Sequence, residues 1–155
     1  MQLVDAAEKA GIPLVNPARA HAFEVSKRAA TEALAATGFA VPAIYACGLP
    51  GELGRADLPF PCIVKPDCGG RGEWTAILQS AEEARAFLAE APGIAFVAEE
   101  YVEPELGFLT RIEVVDGKVA LVVKRSVAPN GLSGYHHGST YAPYGDCSPG
   151  LVAEA

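Results

Sequence analysis

The chain has 155 residues, of which half are hydrophobic and one fifth are charged, and its formal net charge is −7. This composition excludes a disordered chain and argues against a general nucleic-acid binder, which needs a basic face to replace phosphate counterions. No apolar run approaches the ~20 residues of a membrane span, and the four cysteines form no Cys-x-x-Cys pair. We therefore expect a cytoplasmic protein with free thiols and with neither nucleic acid nor membrane as a partner.

The first third of the chain predicts two helices and a strand. Residues 3–10 form a short helix that ends at a glycine, and residues 27–37 form a second helix with Ser26 as its N-cap. A strand follows over residues 41–46. Lys27 then lies in the first helical turn, where the helix dipole disfavours a cation. It is either an ordinary exposed lysine or one with a function.

The central stretch, Pro59–Leu78, follows a predicted surface loop over residues 48–58 and predicts a strand, a glycine-rich turn and a second strand. Lys65 ends the first strand. The turn contains Gly69, Gly70, Arg71 and Gly72. Glycines let backbone N–H groups converge on an anion, and Lys65 and Arg71 add positive charge. The stretch is either a flap over phosphates or a β-hairpin with a mobile turn and a solvated lysine.

The second half predicts a capped helix, a buried strand, a two-stranded hairpin and a loop-like, partly mobile tail. In order, these are residues 81–91, 94–98, 109–127 and 128–155. Ser80 and Glu83 form a capping box, and Asp116-Gly117 is a strong signal for the turn of the hairpin. The acidic segment 99–105 is a natural crossover between two lobes.

Two further groups of reactive side chains have alternative interpretations. Cys68, in the glycine turn, is either an inert thiol or a reactive one, and no base lies near it in the sequence. His136 and His137 are adjacent, so in an extended segment their side chains point in opposite directions. We therefore assign no metal ligand in this chain.

The order of these features resembles the ATP-grasp family, and in particular its carboxylate–amine ligases, such as the ribosomal-protein glutamate ligases and the lysine-biosynthesis ligases. The similar segments are residues 11–17, Ser26-Lys27, residues 38–42, residues 63–66 with the glycine loop, and residues 98–102. The resemblance implies an α+β, two-lobe fold that holds ATP and has an incomplete C-terminal lobe. The implied divisions are a remnant of a preceding α/β domain at 1–20, the N-terminal lobe at 21–100, and the start of the C-terminal lobe, with a loop-rich tail, at 101–155.

The resemblance also implies roles for individual residues. Lys27 and Lys65 would contact the nucleotide phosphates, and the loop of Gly69, Gly70, Arg71 and Gly72 would close over them. Glu99 would accept from the adenine amino group, while the Glu100 carbonyl and the Val102 N–H, with Tyr101 between them, would pair with the purine edge. Glu105 would contact the ribose. Arg111, Lys124 and Arg125 would face the transferred phosphate or the carboxylate substrate, and Asn130 and His137 would lie in the amino-acid region.

The implied function is that of the ATP-binding domain of an ATP-dependent carboxylate–amine ligase, in which an amine attacks an acylphosphate. Two departures are visible: Leu109 stands where the family commonly has an acidic residue, and the family's magnesium ligands have no counterpart after Arg125. We expect ATP and magnesium as cofactors, small-molecule carboxylate and amine substrates, and no catalysis by this chain in isolation. The alternative is a non-catalytic or regulatory nucleotide-binding module. The oligomeric state stays open, with a homo-oligomer as one option.

Overall fold

The protein has a mixed α+β architecture with two antiparallel sheets, as seen in a computed structural model that describes residues 2–153. The predicted α+β class is confirmed. The chain divides into two compact units, Met1–Tyr101 and Val102–Ala155. Among the described residues, no helix is both long enough and apolar enough to cross a bilayer.

The first unit contains a four-stranded sheet and several helices. The helices are α1 (Gln2–Lys9), α2 (Ala18–Glu24), α3 (Lys27–Ala36), α4 (Pro50–Leu53) and α5 (Ala81–Glu90). The strands are β1 (Ile44–Gly48), β2 (Cys62–Pro66), β3 (Ala76–Leu78) and β4 (Phe96–Glu100). The order in the sheet is β1-β4-β2-β3. The last strand in sequence therefore lies between the first two, and every pair is antiparallel.

The hydrophobic core of this unit lies on one face of the sheet. Side chains of β2 alternate in burial, with Cys62 and Val64 fully buried. Phe96, also fully buried, lies beside them on β4, and α4 and α5 cover this face with Leu53 and Leu88. The opposite face of β2 presents Ile63 and Lys65, so the core determines which side of the sheet is left for Lys65.

The prediction of a surface loop over residues 48–58 is wrong. Residues 50–53 form the helix α4, and Leu53 and Leu58 are 2% and 6% exposed. Pro50 has a suitable φ for the first helical position, and the Glu52 carboxylate accepts a hydrogen bond from the Leu49 N–H at 2.7 Å. Burial of the two leucines outweighs the loop-like composition of the segment.

The capping predictions are confirmed in most of their detail. The Ser26 hydroxyl accepts from the Ala29 N–H at 3.1 Å at the start of α3, and the Ser80 hydroxyl accepts from the Glu83 N–H at 3.2 Å at the start of α5. The Glu83 carboxylate differs from the expectation. It accepts from the N–H of Gln79, one residue before the cap, and not from that of Ser80. The helix over residues 18–24 was not predicted.

The second unit is built on a three-stranded sheet. Its strands are β5 (Phe108–Val115), β6 (Lys118–Ser126) and β7 (Tyr141–Pro143), in that order. Asp116 and Gly117, with φ angles of 51° and 68°, form the predicted turn between β5 and β6. The loop predicted for residues 128–155, of which 154–155 lie outside the described residues, is wrong at β7 and at the helix α6 (Pro149–Ala153). Tyr141 of β7 pairs with Arg125 of β6 and thereby extends the sheet.

Candidate functional site

A pocket of about 120 Å³ lies beside the glycine loop in the first unit. It is lined by Lys27, Pro66, Cys68, Gly69, Gly70, Gly72, Glu73, Trp74, Thr75 and Ile94. The start of α3, the end of β2 and the segment before β4 therefore meet at one place. Of the predicted site residues, Lys27 and the three glycines line this pocket, whereas Arg71 is an exposed residue of the loop outside the lining set.

The Lys27 ammonium reaches across from α3 to the glycine loop. It donates to the carbonyl oxygens of Pro66 at 2.7 Å and Gly69 at 2.8 Å, with that of Asp67 further away at 3.4 Å. The Lys27 backbone N–H also donates to the Asp67 carbonyl, at 2.9 Å. A cation in the first turn of a helix is thus compensated by carbonyl oxygens from residues 39 or more positions away in the chain.

Lys65 lies close to the same site, on the face of the sheet opposite the core. Its ammonium forms an ion pair with the Glu99 carboxylate of the neighbouring strand β4. Glu99 is buried, with 7% of its side chain exposed, whereas 22% of the Lys65 side chain is exposed. The pair keeps a buried carboxylate neutralised in the sheet, so Glu99, which the resemblance assigns to adenine, has a partner within the protein.

The glycine loop has an unusual backbone. Gly69 and Gly72 have φ angles of 130° and 75°, and the non-glycine residues Arg71 and Trp74 have φ angles of 64° and 51°. Left-handed residues at such close intervals are typical of backbone nests, in which successive N–H groups surround an anion. Strained non-glycine residues also cluster at ligand clamps. The φ angles are those of an anion-binding loop, while the carbonyls of Pro66, Asp67 and Gly69 at its start accept hydrogen bonds from Lys27.

The pKa of the Lys27 ammonium is lowered from its ordinary value. Burial lowers the pKa of its ammonium, and the neighbouring Lys65 cation lowers it further, while Asp67 and other anions act in the opposite direction. The two ammonium groups lie close to each other and also to the Asp67 and Glu99 carboxylates, so two cations and two anions meet beside the pocket.

We expect Lys27 to release its proton below the ordinary lysine value of 10.5. Nuclear magnetic resonance titration of the lysine Cε and Nζ signals measures this, and Lys65→Met should raise the pKa because it removes a nearby cation. Since the folded state then holds the proton less tightly than the unfolded chain, the contribution of Lys27 to the free energy of unfolding should rise with pH between its folded pKa and 10.5. A pKa that Lys65→Met leaves unchanged would contradict the proximity of the two cations.

The residues predicted to bind the purine are divided between the two units. Glu99, Glu100 and Tyr101 end the first unit, whereas Val102 and Glu105 begin the second and are exposed. The Glu100 N–H donates to the Ala43 carbonyl at 2.8 Å, and its carboxylate accepts from the Ala43 N–H at 3.1 Å. These bonds attach the end of β4 to the segment before β1, a structural role that the sequence had not indicated.

The three cations predicted in the second unit do not converge on one face of its sheet. In the register of β5 and β6, Arg111 lies opposite Val123, and Leu109 lies opposite Arg125. Arg111 and Arg125 therefore share one face of the sheet, and Lys124 points to the opposite face. Lys124 lies 4.2 Å from the ring centroid of Tyr144 and 5.1 Å from that of Phe108. Arg111 pairs with Glu113 at 2.9 Å, and the Arg125 Nε donates to the Ser133 hydroxyl at 2.8 Å.

His136 and His137 lie in a short 3₁₀ helix, Tyr135–His137, and not in the extended segment on which the sequence argument relied. The His137 Nδ1 lies 3.4 Å from the Asn130 amide nitrogen. Within residues 2–153, no group of three or more His, Cys, Asp or Glu side chains is arranged to hold a metal ion.

The residues of the site that reasoning from the sequence missed include Asp67, Trp74 and Ile94, as well as Glu73 and Thr75 of the pocket lining. Asp67 follows Lys65-Pro66 at the end of a strand and looks like an ordinary turn residue, yet it contacts α3. Trp74 and Ile94 line the pocket although each resembles a residue of a hydrophobic strand. Left-handed backbone at Trp74 is not visible in the sequence, and no local pattern links Ile94 to the loop.

No protein-family model matches this chain, and no curated protein matches it.

Proposed function

We propose that the chain is an ATP-binding domain of the ATP-grasp type, from an ATP-dependent carboxylate–amine ligase. The observation that best supports this is the convergence of Lys27 and the glycine loop on one pocket, with Lys65 close enough to lower the pKa of Lys27. Two ammonium groups from elements far apart in sequence, beside a glycine-rich loop with left-handed backbone, are the features that support a phosphate site. The acidic remainder of the protein favours a small ligand over a nucleic acid.

The proposed reaction transfers the terminal phosphoryl group of ATP to a carboxylate. An oxygen of the carboxylate bonds to the γ-phosphorus, the bond to the β–γ bridging oxygen breaks, and ADP leaves; an amine then attacks the acyl carbon and releases phosphate. Lys27 and Lys65 would neutralise phosphate charge, and the loop amides would hold the phosphate oxygens in position. Arg111 and Arg125, which share one face of their sheet, are the proposed carboxylate contacts.

Magnesium is part of this proposal only as the ion that accompanies ATP. Among the described residues, no group of three or more His, Cys, Asp or Glu side chains is arranged to hold a metal ion. Asp146, an acidic residue after Arg125, lies 3.7 Å from the Lys124 ammonium and is thereby paired with a cation. We therefore assign no residue of this chain to magnesium and derive no step from it.

A nucleotide-binding module without catalysis is the second candidate. It is favoured by Lys124, which points away from Arg111 and Arg125 and packs against the rings of Phe108 and Tyr144. A lysine stabilised in this way contributes to packing and is poorly placed to join the two arginines at one substrate.

Isothermal titration with ATP in magnesium-containing buffer tests both candidates. We expect the wild-type chain to bind and Lys27→Ala to weaken binding by about 10- to 100-fold, the value of a charge-assisted hydrogen bond. The matched control is Lys9→Ala, which removes an exposed lysine at the end of α1 and should leave the affinity unchanged. Absence of binding by the wild-type chain would exclude the ligase domain and the binding module alike.

Release of ADP separates the two candidates once binding is established. A ligase should release ADP from ATP only when a suitable amino acid or other carboxylate is present, whereas a binding module should not. Because the isolated chain is expected to be inactive, release of ADP by it would exclude the binding module outright.

A further inference from the structure

Asp67 makes contacts with two elements of the first unit at once. Its carboxylate Oδ1 accepts from the Arg28 N–H at 2.9 Å and from the Ser26 hydroxyl at 3.2 Å, both at the start of α3. Its own N–H donates to the Ala95 carbonyl, just before β4, at 2.9 Å. Its carbonyl accepts from the Lys27 N–H at 2.9 Å. One residue at the end of β2 thus joins the start of α3 to the start of β4.

These bonds fix the position of Lys27. The Asp67 carboxylate holds the residues on both sides of Lys27, namely Ser26 and Arg28, and the Asp67 carbonyl holds the Lys27 backbone. The Lys27 side chain then extends over the same segment to the carbonyls of Pro66 and Gly69. The relative position of Lys27 and the glycine loop therefore depends on Asp67 as well as on the direct bonds of the Lys27 ammonium.

The negative charge of Asp67 disfavours the binding of an anion nearby, so the presence of a carboxylate at this position requires a physical explanation. A carboxylate near the pocket repels phosphate, and that repulsion opposes binding. The free N–H groups and the dipole at the start of α3, a helix of ten residues, stabilise a carboxylate in this position. Asp67 thus accepts hydrogen bonds from N–H groups at the start of α3 that have no partner within the helix. Because Asp67 precedes the glycine loop, the same bonds hold the loop against the helix.

We propose that Asp67 is a positioning residue that fastens the glycine loop to the start of α3 and so holds Lys27 where it can contact the phosphates of ATP. This inference rests on the proposed function. Asp67 itself does not touch the ligand and acts through Lys27 and the loop. Geometry, and not negative charge, is the property of Asp67 that matters.

Two substitutions separate geometry from charge. Asp67→Asn removes the charge but keeps Oδ1 as an acceptor for Ser26 and Arg28, whereas Asp67→Ala removes both. Asp57→Ala is the matched control, because Asp57 is an exposed carboxylate whose side chain makes no hydrogen bond among residues 2–153. Each variant is measured for thermal unfolding, for hydrogen exchange at the Arg28 amide, and for binding of ATP and of adenosine by calorimetry.

We expect Asp67→Ala to speed exchange at the Arg28 amide and to weaken ATP binding, each by about tenfold, because two hydrogen bonds are lost. Adenosine binding should stay within about twofold of wild type, since adenosine lacks phosphates and the protein is otherwise intact. Asp67→Asn should restore both the exchange protection and the ATP affinity to within about threefold of wild type. The selective loss for ATP and the rescue by asparagine distinguish positioning from a general loss of stability.

Several outcomes would overturn the inference. Unchanged exchange at the Arg28 amide in Asp67→Ala would show that Asp67 does not hold the start of α3. Faster exchange with unchanged ATP affinity, or equal losses for ATP and adenosine, would show that the attachment does not serve the phosphate site. If Asp67→Asn behaves as Asp67→Ala does, charge and not geometry is decisive. If the wild-type chain fails to bind ATP, both the proposed function and the role of Asp67 in ATP binding are excluded. Hydrogen exchange at the Arg28 amide then still shows whether Asp67 attaches the loop to α3.

Discussion

Lys65→Met should lower the free energy of unfolding by about 3 kcal/mol, the lower end of the cost of breaking a buried ion pair. The Glu99 side chain is 7% exposed, so without Lys65 its carboxylate stays buried and loses its ion-pair partner. Lys65 is itself partly exposed, which lets water reach the pair and keeps the cost from being larger. The same substitution should remove measurable ATP binding if Lys65 contacts the phosphates. Urea unfolding and calorimetry with ATP measure the two effects.

The double variant Lys65→Met/Glu99→Leu separates stability from binding. Replacing both members of a buried pair by apolar residues is often neutral, so this variant should recover most of the lost unfolding free energy. ATP binding should stay lost, because the phosphate contact is not restored. Wild-type affinity in the stable double variant would show that Lys65 is a structural residue only. Failure to recover stability would show that the Glu99 carboxylate has a further partner.

Phe96→Ala should have the largest effect on stability, a loss of about 3–5 kcal/mol, because it leaves a cavity in the centre of the core. Phe96 is fully buried on β4, the strand paired with both β1 and β2. Its ring packs at an edge-to-face angle of 89° on that of Phe87, with 6.4 Å between centroids. Removing it weakens the contact between α5 and the sheet. Unfolding in urea, followed by fluorescence, measures the loss.

The fluorescence of Trp74 reports specifically on unfolding of the first unit. It is the only tryptophan of the chain, and its ring centroid lies 6.0 Å from that of Phe87. Phe39→Ala is the matched control, because Phe39 is 48% exposed and its removal should cost about 0.5 kcal/mol or less. Equal losses for the two phenylalanines would contradict the placement of the core on this face of the sheet.

The elements that local patterns determine were predicted well. Ser26 and Ser80 cap helices because a hydroxyl can reach an N–H three residues later, and this distance is fixed by the helix itself. Asp116-Gly117 forms its turn because both residues tolerate a positive φ. The hairpin of β2 and β3 followed from two apolar runs around a glycine-rich turn, with Cys62 opposite Leu78.

The main errors in the predicted secondary structure concern residues whose burial or strand pairing depends on distant parts of the chain. Leu53 and Leu58 lie in a segment of glycine, proline and charged residues, which predicts a loop, yet both enter the core. Tyr141 lies in a tail without periodicity, yet its backbone pairs with β6. In each case the decisive contact is made with residues distant in the sequence, so the local composition gave no information about it.

The features of the candidate site likewise separate into those that the sequence predicts and those that depend on the tertiary structure. The sequence alone was sufficient to identify Lys65 and the glycine loop as neighbours and to mark Lys27 as an unfavourably placed cation, because these are properties of single residues or short segments. Only the tertiary structure decided that Lys27 reaches the loop, that Glu99 pairs with Lys65, and that Asp67 holds α3. These contacts join residues 34 to 42 positions apart. The Lys65–Glu99 pair exists because β4 pairs with β2, and the contacts of Lys27 and Asp67 exist because α3 begins beside the end of β2; neither arrangement is a local preference of the sequence.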